Sequence, residues 1–132
     1  MKNILLYAIA TVIFFAIDMV WLGVVAKNFY RDKLGFIFTG DVRWGAAIIF
    51  YLIYIFGILF FAVSPAMAGA GWKTALHNGA LFGLMCYATY DLTNMATISQ
   101  WPLIVVVVDI IWGIVLTGSV SLLTYLVAAK WL

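Results

Sequence analysis

Three aspartates stand in surroundings that offer a carboxylate little. Asp18 lies in Phe14-Phe15-Ala16-Ile17-Asp18-Met19-Val20-Trp21, Asp91 in Tyr90-Asp91-Leu92-Thr93-Asn94, and Asp109 in Val108-Asp109-Ile110-Ile111-Trp112. Each is followed three residues later by a side chain with an N–H to give, namely Trp21, Asn94 and Trp112. On a helix that spacing puts acid and donor on one face, so each pair could close on itself and act only as helix glue. If the three carboxylates meet instead, their mutual repulsion calls for a bound proton or cation. Two chemistries then open. One is a proton or cation site in a carrier. The other is a divalent metal held by Asp18, Asp91 and Asp109, with Mg²⁺, Ca²⁺ or Mn²⁺ matching an all-oxygen ligand set.

The elements that must position these acids follow from composition. Of 132 residues, 67% are apolar and 9% charged, and glutamate is absent; soluble domains carry roughly a quarter charged residues. So little polar surface cannot cover a soluble domain. The chain reads as an all-α polytopic membrane protein, four transmembrane helices in one bundle domain over residues 1–132. Crossing ~30 Å of hydrocarbon takes about 20 helical residues. Four segments qualify, at about 4–25, 44–63, 74–98 and 102–128, with a connecting loop at 26–43. Ser64-Pro65 is expected to close the second span, and Pro102 suits the first turn of the fourth. The first span outruns the ~7–15 apolar residues of a secretory signal and is expected to be retained. Trp44, Trp72, Trp101 and Trp131 fall at span boundaries, as an aromatic belt requires.

Depth brings the aspartates together. Asp18 lies seven residues before Val25, Asp91 seven before Ile98, and Asp109 eight after Trp101. At ~1.5 Å per residue, all three sit roughly 10–12 Å below the same membrane face. Tyr51 and Tyr54 of the second span reach the same level. An Asp at a helix centre costs about 2.5–3.5 kcal/mol on insertion scales, so three should face the bundle interior, where partners are found. The expected ligand- or cation-binding set is Asp18, Asp91 and Asp109 with Trp21, Tyr54, Asn94 and Trp112, whose aromatic rings could receive an organic cation.

The connecting loop interleaves Lys27, Arg31, Lys33 and Arg43 with Phe29, Tyr30, Phe36 and Phe38. It reads as an interfacial segment in contact with membrane lipids, with Lys27, Arg31 or Arg43 placed to hold a lipid headgroup or another anion. The net charge of +2 and the lack of a basic run argue against nucleic acid. Four Lys/Arg on the loop side against three on the other leave orientation open. Cys86 is expected to pack as a small hydrophobe, and His77 and Cys86 are too few for a zinc cluster. Gly79 and Gly83 form a small-xxx-small pattern, a close contact either within the bundle or in a homodimer. Thr117, Ser119, Ser121 and Thr124 are expected to bond their own helix carbonyls.

The segments Asp18-Met19-Val20-Trp21-Leu22-Gly23 and Asp109-Ile110-Ile111-Trp112-Gly113 look alike on spans that run in opposite directions, as in an inverted relation. With Asp18-x-x-Trp21, Tyr90-Asp91-x-x-Asn94, Asp109-x-x-Trp112 and Lys27-Asn28-Phe29-Tyr30, the chain resembles a bacterial family of four-span membrane proteins, the domain of unknown function DUF2177. The resemblance covers nearly the whole chain and implies that architecture and a bacterial inner-membrane location, without an activity. From the residues, the leading expectation is a proton- or cation-coupled transporter or ion-binding protein. The alternatives are a membrane enzyme using Mg²⁺ or Mn²⁺ on a lipid or isoprenoid phosphate, and an accessory or scaffold subunit.

Overall fold

In hydrocarbon every backbone N–H and C=O must be satisfied within the chain, and this chain answers with helices. The computed structural model describes residues 2–37, 40 and 42–132; Phe38, Thr39 and Asp41 of the connecting loop lie outside the described residues. Helix α1 (Lys2–Val20) runs on into a π-helical turn, Trp21–Val25. A short α2 (Phe29–Leu34) follows, then α3 (Trp44–Ile58), α4 (Trp72–Thr97) and α5 (Leu103–Trp131). The helices 2–25, 44–70 and 103–131 are each long and apolar enough to cross a membrane. Helix α4, 26 residues long, is more polar and completes an all-α membrane bundle.

The second span does not stop at Ser64-Pro65. It continues to Ala70 through two π-helical turns, Leu59–Val63 and Ala66–Ala70, on either side of the proline. Pro65 has no N–H to offer the Phe61 carbonyl four residues earlier, and Asn78 Nδ2 of α4 donates to that carbonyl at 3.0 Å. The lost bond is replaced from a neighbour, so the helix survives its proline. The chain reverses at Gly69 and Gly71, whose φ values of 120° and 87° favour a residue without a Cβ.

Helices α4 and α5 pack most closely, because glycines let their backbones approach. A Cβ on Gly83 would meet the Gly113 carbonyl oxygen, and one on Gly79 would meet the Ser121 hydroxyl. The Gly79/Gly83 face is therefore occupied by α5, rather than being turned outward to a second copy. Thr117 faces Tyr54 of α3, with the two hydroxyls hydrogen-bonded at 2.6 Å, and buried Ser121 Oγ and Thr124 Oγ1 have no hydrogen-bond partner. The expected bonds of these three to their own helix are not made; Thr117 turns to Tyr54, and Ser121 lies against Gly79 of α4.

Inward stripes run at four-residue spacing. In α1 the buried residues are Leu6, Ala10, Phe14 and Asp18. In α4 they are Ala75, Gly79, Gly83 and Asp91, with half-buried Tyr87 completing the row. In α5, Val105, Gly113, Thr117 and Ser121 are buried on the row that contains half-buried Asp109. Residues four apart share a helix face, so each aspartate continues a row that already faces the core. A main core joins α1, α3 and α5 around Phe14, Ile55, Ile58 and Leu116. A smaller one holds Leu34 of α2 against Trp101, Val105 and Val106, which folds α2 back over the end of the bundle where the aspartates lie.

Candidate functional site: an acidic cavity walled by aromatic rings

A cavity of about 400 Å³ opens at that end, lined by Asp18, Asp91 and Asp109 together with Trp21, Tyr30, Tyr51, Tyr87, Tyr90, Trp101 and Trp112. Small-molecule sites typically fall at roughly 300–1,000 Å³.

The carboxylates differ in how they are served. Asp18, 6% exposed, accepts the indole N–H of Trp112 at 3.4 Å. Asp109 accepts the Tyr30 phenol O–H at 2.7 Å, and Tyr30 Oη in turn accepts the indole N–H of Trp21 at 3.1 Å. The two indoles stack, centroids 4.4 Å apart and planes 9° from parallel. Donors therefore come from a different element than the acid, and the alternative in which each Asp closes on the residue three positions later on its own helix does not occur. The π-helical turn starting at Trp21 belongs to this arrangement, as such turns often do at functional sites.

Asp91 is the exception. It is fully buried, and no donor among the described residues reaches either carboxylate oxygen; what it meets is the carboxyl group of Asp109, at hydrogen-bonding range. Asn94, three residues on, does not reach it. Two carboxyl groups in contact repel unless a proton or a cation lies with them. Leaving a buried carboxylate without a donor or counter-charge is costly, so Asp91 calls for something that brings one.

Tyr30, on α2 outside the spans, keeps its proton. Burial pushes its phenol well above the ordinary range near 10, and the Asp109 carboxylate that it faces pushes it further. It stands as a standing donor at the cavity rim.

Of the residues expected at the site, Asp18, Trp21, Asp91, Asp109 and Trp112 line this cavity. Tyr54 lines an adjoining one, and Asn94 lines neither. Lys27, Arg31 and Arg43 are exposed and outside both. Trp101 was expected among the interfacial anchors with Trp44, Trp72 and Trp131. It is instead 6% exposed, against 69% for Trp44 and 72% for Trp131, and packs with Leu34 beside the cavity. Sequence reading also passed over Tyr30, Tyr87 and Tyr90. For Tyr87 a signal existed, since it stands four residues before Asp91 on the same inward row. Among the described residues no group of three or more His, Cys, Asp or Glu is arranged to hold a metal ion.

Residues 3–126 match the model of the family described as "Predicted membrane protein (DUF2177)". No curated protein and no solved structure matches the chain.

Proposed function

We propose that this chain, which belongs to the DUF2177 family of predicted membrane proteins, is a small cation-handling carrier whose intramembrane site exchanges protons for an organic cation. The supporting observation is Asp91, fully buried on the cavity wall with no donor among the described residues on either oxygen and the carboxyl of Asp109 beside it. A carboxylate that only fastens helices has its donor built in, as Asp18 and Asp109 do. Asp91 has none, and its neighbours Tyr87, Tyr90 and Trp101 offer ring faces that attract cations. A proton between Asp91 and Asp109 serves the pair when the site is empty of ligand, and a cation seated against the two carboxyls replaces it.

The divalent-metal enzyme reading has less support, because the three aspartates are not gathered as one ligand set. The membrane we propose is a bacterial inner membrane, in keeping with spans that are apolar helices rather than the strands of an outer-membrane barrel.

The test is proton release. Tetramethylammonium added to purified protein in weakly buffered detergent should acidify the solution, and Asp91→Asn should abolish the release. Release that persists in Asp91→Asn, or no release from the unmodified protein, would overturn the reading.

A further inference from the structure

A second cavity adjoins the acidic one. It encloses about 320 Å³ and is lined by Phe50, Tyr54, Cys86, Tyr87, Tyr90 and Asp109. Tyr87, Tyr90 and Asp109 line both spaces, so the two share a wall. Apart from that shared carboxylate, the second is walled by rings and a thiol.

It faces the bilayer. Helix α3 buries nothing between Trp44 and Ile53, and its first buried residue is Tyr54. There its ring joins α4, 5.3 Å from Phe82 and 6.3 Å from Tyr87, centroid to centroid. On the Trp44 side of that junction the two helices part, and Phe50 and Tyr90 stand at the gap, 49% and 53% exposed. The apolar cavity also reaches deeper. Cys86 lies five residues beyond Asp91 from the nearer end of α4, roughly 7 Å further into the membrane.

The two cavities thus repeat the order of an amphiphile in a leaflet, polar group toward the surface and apolar body inward. We infer that the ligand is an amphiphilic cation, a quaternary ammonium or protonated amine with an alkyl or aryl body. It reaches the site sideways from the lipid through the gap between α3 and α4. Its body lies on Phe50, Tyr54 and Cys86, and its head against the Asp91–Asp109 pair. Lipid chains are as apolar as this cavity, so the body alone gains nothing by leaving the bilayer; selection rests on the charged head, and the apolar cavity keeps the body from obstructing it. The inference rests on the cation reading of the acidic site and adds the ligand's shape and route.

Cys86 is the sole cysteine and reports on the second cavity directly. In nanodiscs, dodecyltrimethylammonium should slow labelling of Cys86 by a membrane-permeant maleimide several-fold. Tetramethylammonium, which lacks the body, and dodecanol, which lacks the charge, should not, and Asp91→Asn should remove the protection. A labelling rate indifferent to dodecyltrimethylammonium, or slowed equally by dodecanol, would overturn the inference. Cys86→Trp gives a reading without labelling. Filling the cavity should weaken dodecyltrimethylammonium binding by about an order of magnitude or more, because a body that clashes with the new ring holds the head off the carboxyls; unchanged affinity would count against the inference. Proton release by tetramethylammonium in the same samples separates the two levels. Release without chain-dependent protection removes only the amphiphile, whereas no release removes the cation reading itself.

Discussion

The indoles of Trp21 and Trp112 lie face to face, 4.4 Å apart and 9° from parallel. They come from the two look-alike Asp-x-x-Trp segments, one where α1 runs into its π-helical turn and one near the start of α5, and each serves the other segment's acid. Trp112 donates directly to Asp18, and Trp21 donates to Tyr30, which donates to Asp109. The two motifs interlock as a crossed pair, which fixes two of the three carboxylates and leaves Asp91 on the cavity wall with no donor among the described residues.

Crossed pairing has an energetic signature. Trp112→Phe keeps a ring for stacking and removes the N–H. In a double-mutant cycle of unfolding in detergent, Trp112→Phe and Asp18→Ala should couple by about 0.6–1.7 kcal/mol, the range of hydrogen bonds between membrane helices. Trp21→Phe with Asp18→Ala, the pair within one helix, should couple less, since no hydrogen bond joins them. Larger coupling in the within-helix pair would contradict the geometry.

Tyr30 carries a pH dependence. Its phenol is held above the ordinary value near 10 by burial and then by Asp109. The folded state therefore keeps the proton where the unfolded chain releases it. Its contribution to stability is complete below pH ~10 and is lost as pH rises beyond that, with a slope of up to about 1.4 kcal/mol per unit. The stability difference between wild type and Tyr30→Phe should be flat from pH 7 to 9 and shrink above ~10. Unfolding titrations across that range check it, and a difference that stays constant would rule out the buried phenol.

The close approach of α4 and α5 makes small changes expensive. A methyl on Gly83 would collide with the Gly113 carbonyl and come within 2.8 Å of Thr117 Cβ. Gly83→Ala should cost about 1–3 kcal/mol, as overpacking does. Gly45→Ala, with no atom within 4 Å of the new methyl, should be near neutral. Equal stability of the two variants, measured by unfolding in the same detergent, would show that the interface is looser than described.

Much of this arrangement was legible. Composition gave an all-α membrane bundle, and counting helical rise from the span ends put Asp18, Asp91 and Asp109 on one level. The cavity's aromatic wall was harder to foresee, because helices that are apolar nearly all round show no contrast between inward and outward residues. The four-residue rows ending in Asp18 and Asp91 become visible only once glycines and alanines are counted as packing residues, as close helix contact requires. Three-residue spacing named a shared face for Asp18 and Trp21 but could not say which helix lay opposite, so the crossed partners were out of reach. Trp101 carried the same boundary signal as Trp44, and only α2 folding back over it distinguishes the two. Pro65 read as a stop because its rescue by Asn78 is a tertiary contact.

Asp91→Asn tests the central claim most directly when stability and proton release are measured on the same sample. Removing a buried carboxylate that no donor serves should leave resistance to unfolding equal or higher, while cation-driven proton release disappears. Asp18→Ala, which removes the acceptor of an existing bond, should lose stability. If Asp91→Asn instead unfolds more readily and still releases protons on adding tetramethylammonium, Asp91 is a structural residue and the account of the cavity as a cation site is contradicted.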